Sequence, residues 1–437
     1  MRMTKLAKGL AQSRLISPTM MLPMAAFAAL AALHGCSTSE GTGGGTGGAT
    51  GVGGQTPAGM GGAPSGAGGS GSGGATGSGG SGAGGSAGRA GTGGAPGMGG
   101  APGTGGAPGL GGGAGSCTTP PDPSPLTGWA SITDTRVPMM NGGGSAMPRT
   151  VTTLAALNAA AAGNTPAVIY VQGVLAPGKV VIGSNKTVVG LCGAELHGHV
   201  DVSNVSNVII RNIKIVGYGV GNCALDPSFD ATVGCSSGDD AMTIQNNSHH
   251  IWVDHCDISD GTDGNLDTTS GSDFVTISWT KFHYTPRTDN GGSDSTGASG
   301  HRFSNLIGSG DNVTTDIGKL NVTWHHDWWA DNVNQRMPRT RFGQIHVFNN
   351  LYSSAGDSYC TNSGIMTHVL VENNVYTNVH NPLSPDANGD MLARGNLFQM
   401  TTGTTTSTGV GFVPQYQYTL DATATLAATI MAQAGPH

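Results

Sequence analysis

Three arginines, Arg336, Arg339 and Arg341, fall within six residues of one another in the run Gln-Arg-Met-Pro-Arg-Thr-Arg-Phe-Gly that ends at Gly343. The whole chain of 437 residues has only 19 Lys plus Arg, so its positive charge is concentrated here. Cations grouped ahead of an alternating apolar run can bind an anion or take part in catalysis; equally, they can form a solvated edge that discourages strand-to-strand aggregation. A second set of candidates is acidic: Asp240, with Asp263 and Asp267 lying 23 and 27 residues further on. Carboxylates brought close together raise one another's pKa unless a cation intervenes, and an oxygen-only ligand set favours Ca²⁺. Asp263, in Asp-Gly-Thr-Asp-Gly, can also simply cap a turn.

Whether these groups meet depends on the elements that carry them. Short Val- and Ile-rich runs alternate with Asn, Gly, Ser and Asp through most of the chain, a pattern of strands. The segments ending at Ile215, Ile258, Phe282, Trp329, Tyr352, Tyr376 and Phe398 align, with gaps of 43, 24, 47, 23, 24 and 22 residues. Four gaps fit one coil, and the two long ones fit a coil plus an insertion near 217–238 and 285–301. A repeat of this length made of short strands predicts a solenoid, here an all-β parallel β-helix. Successive coils stack at roughly 4.8 Å. Asp240 then lies beside Asp263 and Asp267, and the arginines arrive two coils above Asp267, on the order of 10 Å away. That spacing suits neighbouring residues of an acidic polymer in a long groove. The pairs Asn349-Asn350 and Asn373-Asn374 are expected to form a structural ladder. Thr152–Ala162 reads as a short capping helix at the N-terminal end, followed by a strand over 167–173.

Ahead of this domain, expected over 120–437, stand two other segments. Residues 1–36 carry Arg2, Lys5, Lys8 and Arg14, then an apolar stretch from Met20 to Leu33 that ends in Leu-His-Gly-Cys36. That order describes an export signal, and its ending resembles a bacterial lipoprotein box with Cys36 as the lipidated residue; ordinary cleavage to a secreted form is the alternative. Residues 37–119, dominated by Gly with Ala, Ser, Thr and Pro, cannot bury enough apolar surface to fold and read as a flexible tether. Six cysteines follow Cys36, an even number in an exported chain, which permits three disulfides of open pairing. A net charge of −7, with no basic run outside the arginine cluster, argues against nucleic-acid binding. Membrane contact is expected only through the anchor, and the domain is expected to be a monomer.

Several motifs in order resemble the pectate lyases of polysaccharide lyase family 1. They are Asn207-Val-Ile-Ile-Arg-Asn-Ile213, Ile251-Trp-Val-Asp-His255, Asp263-Gly-x-x-Asp267, Asp273-Phe-Val-Thr-Ile-Ser-Trp279, Leu306-Ile-Gly-Ser-Gly-Asp311, Val322-Thr-Trp-His-His326 and Arg336-x-Pro-Arg-x-Arg341-Phe-Gly-x-x-His-Val-Phe-Asn-Asn350. The similarity covers about residues 150–400. It implies a right-handed parallel β-helix that cleaves polygalacturonate by β-elimination, with Ca²⁺ bridging enzyme and substrate carboxylates. By motif, Asp240, Asp263 and Asp267 are similar to the calcium ligands, Arg336 to the acceptor of the C5 proton, and Arg341 to the clamp on a substrate carboxylate. Asp263 stands where some members have Glu. A family lysine expected shortly before Leu306 is missing, and Arg302 is its nearest substrate-binding replacement, with Arg287 the other candidate. Trp252, Asp254 and His255 read as structural support.

Elimination needs a neutralised carboxylate beside the C5 proton and a proton acceptor. Guanidinium ordinarily stays protonated below about pH 12, so activity is expected to rise above pH 8 and to vanish with a chelator. Two other readings remain: a β-helical polygalacturonan hydrolase using Asp263 and Asp267 as an acid–base pair, and a tethered polysaccharide-binding solenoid without catalysis.

Overall fold

The computed structural model describes residues 119–219, 226–228, 230, 238–286 and 301–437. The readings placed on 1–36, on nearly all of 37–119, on Cys117, Cys223 and Cys235, on Arg287 and on most of both insertions lie outside the described residues. Within them, every pairing between named strands is parallel, in one sheet of ten strands and one of fifteen. The larger sheet turns a corner at the long strand Glu195–Ser203, whose first half pairs with Lys214–Val216 and whose second half pairs with Gly178–Ile182 and Met242–Gln245. The chain therefore coils through three strand faces per turn, the parallel β-helix expected from the repeat.

The core is built from rows of stacked residues. Ile215, Ile258, Phe282, Trp329, Tyr352, Tyr376 and Phe398 occupy one register row. These are the seven residues that the sequence repeat aligned, and both long gaps are indeed single coils with an insertion. The aromatic members stack at centroid distances of 5.7, 4.6, 4.3 and 5.2 Å. A second row on the ten-stranded sheet runs Ile169, Val188, Ile210, Val253, Ile277, Trp324, Val347, Val371 and Ala393. Burying each large apolar side chain contributes roughly 1.5–3 kcal/mol, repeated at every coil.

Corners between the faces need backbone in the left-handed region, which Asn tolerates better than other side-chain-bearing residues. Eleven of the non-glycine residues with positive φ are asparagines. Asn350, Asn374 and Asn396 form the expected ladder: Asn350 Nδ2 donates to Asn374 Oδ1 at 2.9 Å and Asn374 Nδ2 to Asn396 Oδ1 at 3.0 Å. Asn349 and Asn373 instead donate to the Thr419 and Asp421 carbonyls of the C-terminal segment.

The capping helix is present over Leu154–Ala161, with the Thr153 hydroxyl accepting from the Ala156 amide at its N-cap. A second helix, Thr423–Gln433, was not expected from the sequence; it buries Leu426 and Ile430 against Leu351 and Val375. Three disulfides do not form, because Cys256 and Cys360 are buried free thiols. Among the described residues no helix is long and apolar enough to cross a membrane.

Candidate active site

The acidic residues meet on the outer side of the face that contains Met242–Gln245, Leu266–Thr268, Leu306–Ile307 and Arg339–Thr340. Asp267 lies opposite Thr243, and Leu306 opposite Arg339. Asp240 precedes the first of these strands and Asp263 the second. Two buried groups fix the entry to both: His199 Nδ1 lies 2.7 Å from the Asp240 carbonyl, and Asp226 accepts from the Asp239 amide and the Thr262 hydroxyl at 2.8 and 2.9 Å.

Gly264 shows how closely the oxygens converge. A Cβ at that position would stand 2.7 Å from Asp240 Oδ1, 3.3 Å from Asp267 Oδ1 and 3.3 Å from the Phe303 carbonyl. Any side chain there would fill this cradle. Asp267 Oδ1 accepts from the Leu306 amide at 2.8 Å, whereas Asp240 Oδ1 is buried with no hydrogen-bond partner. Burial, followed by repulsion from Asp263, pushes the Asp267 carboxyl up to about 7. Burial and the charges of Asp267 and Asp263 likewise push Asp240 well above the usual carboxylate range. Asp263 is the open member, with a side chain 44 % exposed and His301 Nδ1 at 3.3 Å.

An orphaned buried oxygen inside a group of mutually repelling carboxylates fits a hard cation, which takes oxygen ligands and removes the repulsion. Among the described residues no three His, Cys, Asp or Glu side chains enclose such an ion by themselves. It would need further oxygens from water or from a bound anion.

Arg336 approaches this patch from the next coil but one. Its φ of 62° places a bulky side chain in the left-handed region, a strained backbone of the kind found at functional sites. The guanidinium carbon sits 4.4 Å above the centre of the Phe303 ring, and Nε is buried without an acceptor. Its charge acts on Asp240, Asp263 and Asp267 alike. Arg341 is buried and already engaged: Nε donates to Asp311 Oδ1 at 2.5 Å and Nη1 to the Gly308 carbonyl at 2.8 Å. Arg302 Nη1 lies 3.3 Å from Asn332 Oδ1. The structure thus brings together Asp240, Asp263, Asp267 and Arg336, sets Arg341 beside them with a counter-ion, and turns Arg302 toward Asn332.

Sequence reasoning missed Phe303, His301 and Asp311. Each stands within quoted motifs or next to them, yet no residue-type signal singled out an aromatic floor for Arg336 or a partner for Arg341. Trp252, Asp254 and His255 are structural, as read: Trp252 Nε1 donates to Ser278 Oγ, which donates to Asp254 Oδ1 at 2.7 Å, and Asp254 Oδ2 lies 3.0 Å from His255 Nδ1.

Comparison with known proteins points to one family. Pectate lyase A of Aspergillus niger is 32% identical over 297 residues, covering 65% of this chain and 80% of the fungal one. A pectate lyase of Bacillus subtilis is 31% identical over 297 residues, covering 59% of this chain and 65% of its own. A solved pectate lyase bound to a hexasaccharide superimposes with a TM-score of 0.55 at 25% identity, over 70% of this chain and 96% of that one. The sequence model described as "Pectate lyase" matches residues 101–435, and with three-quarters of its length so matched the chain belongs to the pectate lyase family.

Proposed function

We propose that this enzyme cleaves polygalacturonate by calcium-dependent β-elimination, with Arg336 accepting the C5 proton. The observation that carries the reading is the facing arrangement of two incomplete halves. On one side stands a carboxylate patch with an orphaned oxygen, and on the other an arginine whose Nε has no acceptor. Asp240, Asp263 and Asp267 would hold Ca²⁺, which when bound neutralises them together with a substrate carboxylate and so acidifies the neighbouring C–H.

The chain's own residues do the rest. Phe303 supports the Arg336 guanidino group from below and keeps water from that face. The backbone at Arg336 is held by its carbonyl, which accepts from the Asn305 amide at 2.7 Å, so the side chain is aimed before substrate arrives. Arg341 adds positive charge near Asp267, where negative charge develops as the proton leaves. A hydrolase would require Asp263 and Asp267 to act as acid and base across a glycosidic bond, but Asp267 is buried and bonded to the Leu306 amide.

Digestion of polygalacturonate, followed by ultraviolet absorbance with and without added Ca²⁺, separates the two. Elimination gives unsaturated ends that absorb and stops with a chelator. Reducing ends formed without absorbance, or cleavage that survives the chelator, would overturn the proposal.

A further inference from the structure

The three clustered arginines differ in what already neutralises them. Arg336 faces the aspartates. Arg341, with a side chain only 10 % exposed, is paired with Asp311. The Arg339 amide donates to the Asn305 carbonyl at 3.0 Å, but its side chain forms no hydrogen bond, ion pair or ring contact with any described residue and sits on the outer side of the strand Arg339–Thr340, in line with Leu306 and Asn362. It is therefore the one cation of the cluster whose charge is uncommitted among the described residues.

Two neighbours show that the surface around it is built to hold something. Asn362, the next residue in the row, is 5% exposed, and its Oδ1 is buried without a donor while Nδ2 is held by the Ser384 carbonyl at 2.8 Å. A buried acceptor left unmet is costly in a folded protein, and a ligand hydroxyl would satisfy it. Tyr359 lies close enough to feel the charges of Arg336, Arg339 and Arg341 together. Its ring offers an apolar face of the kind that packs against a sugar.

We propose that Arg339, with Asn362 and Tyr359 beside it, binds the carboxylate and hydroxyl groups of a further uronate residue, on the side of Arg336 toward the C-terminal coils. Asp311 competes for Arg341, so Arg339 carries the larger share of carboxylate recognition in this chain. The inference rests on the proposed pectate substrate and deepens it: the groove continues one sugar beyond the reacting bond, and it selects for a free carboxylate there.

The test compares the parental chain with Arg339→Gln and Arg339→Lys, measuring KM and kcat on polygalacturonate and calorimetric binding of a tetragalacturonate and its methyl ester. Arg339→Gln is expected to raise KM and Kd about tenfold, the effect of one lost charged contact, with kcat changed less than about twofold. Lysine should restore part of the loss. On the methyl ester the parental chain and both variants should bind alike. Equal affinity of Arg339→Gln and the parental chain for the free acid, or an equal loss on acid and ester, would overturn the proposal; should the glutamine variant fail to fold, the lysine variant carries the same comparison. Binding without cleavage by the parental chain would sink the elimination reading and leave the Arg339 comparison standing, whereas no binding at all would sink both.

Discussion

Buried carboxylates stand on two different faces of the β-helix, several coils apart, and their electrostatics run in opposite directions. On the ten-stranded sheet, the fully buried Glu372 side chain is surrounded by donors: His346 Nε2 at 2.9 Å, Arg394 Nε at 2.5 Å and Tyr418 Oη at 2.8 Å. Burial alone would raise its pKa, but those hydrogen bonds hold it down at about 2. On the groove face, Asp267 is pushed up to about 7 by burial and by Asp263, and Asp240 keeps an oxygen with no partner. Satisfied charge ties the C-terminal segment onto the coil. Unsatisfied charge, on a scaffold equally able to satisfy it, is what the proposed cation would complete.

The sharpest way to break this contrast is to disable the groove without touching the scaffold. Arg336→Lys keeps the charge near the aspartates but loses the guanidino group above Phe303. Turnover of polygalacturonate, read by absorbance, is expected to fall by about 10³-fold, within the range for losing a proton-transfer group, with binding of oligogalacturonate and thermal stability nearly unchanged. Retained turnover would remove Arg336 from the chemistry, and the groove face would then look like a binding surface only.

Glu372 offers the converse experiment. Its folded pKa lies below the value of roughly 4.3 in an unfolded chain, so the unfolded state binds the proton more readily. The stability this group contributes is present above pH 4–5 and is lost as the pH falls toward 2, a change of about 3 kcal/mol. Chemical denaturation from pH 7 down to pH 2.5 should show that acid limb. Glu372→Gln should flatten it and cost on the order of 3 kcal/mol at neutral pH, since His346 and Arg394 lose their anion, while the response of activity to added Ca²⁺ or chelator stays that of the parental chain. An unchanged acid limb in the variant would mean that Glu372 is not the tie described.

Much of this was legible in the sequence, because a coil that returns to the same face every 22 to 24 residues writes its register into residue spacing. The row from Ile215 to Phe398 could be aligned without coordinates, and the same period placed Asp240, Asp263 and Asp267 beside one another and below the arginines. What could not be read depends on turns rather than on period. Asp311 reaches Arg341 because the chain reverses at Gly308, whose φ is 82°; the motif showed an aspartate but not its direction. Phe303 lies just after an insertion whose length hid its coil. Cys256 was counted toward a disulfide, yet it is a free thiol buried in the core, with Sγ 3.4 Å from the Asp254 carbonyl and 3.7 Å from that of Ile210. The helix Thr423–Gln433 has no acidic residue in its first turn, no basic residue in its last and no side-chain cap hydrogen bond, so no start or stop signal marked it; it is held by packing on Leu351 and Val375.

The smallest expected effect is also the one that bears most directly on the contrast. Asp267→Asn keeps an oxygen to accept from the Leu306 amide but removes one of three clustered negative charges. In chelator the variant should be more stable than the parental chain by about 1 kcal/mol, because like charges packed together destabilise a fold that has nothing to neutralise them. Added Ca²⁺ should reverse the order, since the parental chain gains binding free energy that the variant has largely lost. Denaturation curves in chelator and in excess Ca²⁺ would reveal the crossing. Curves that keep the same order in both media would show that the groove carboxylates, like Glu372, belong to the scaffold.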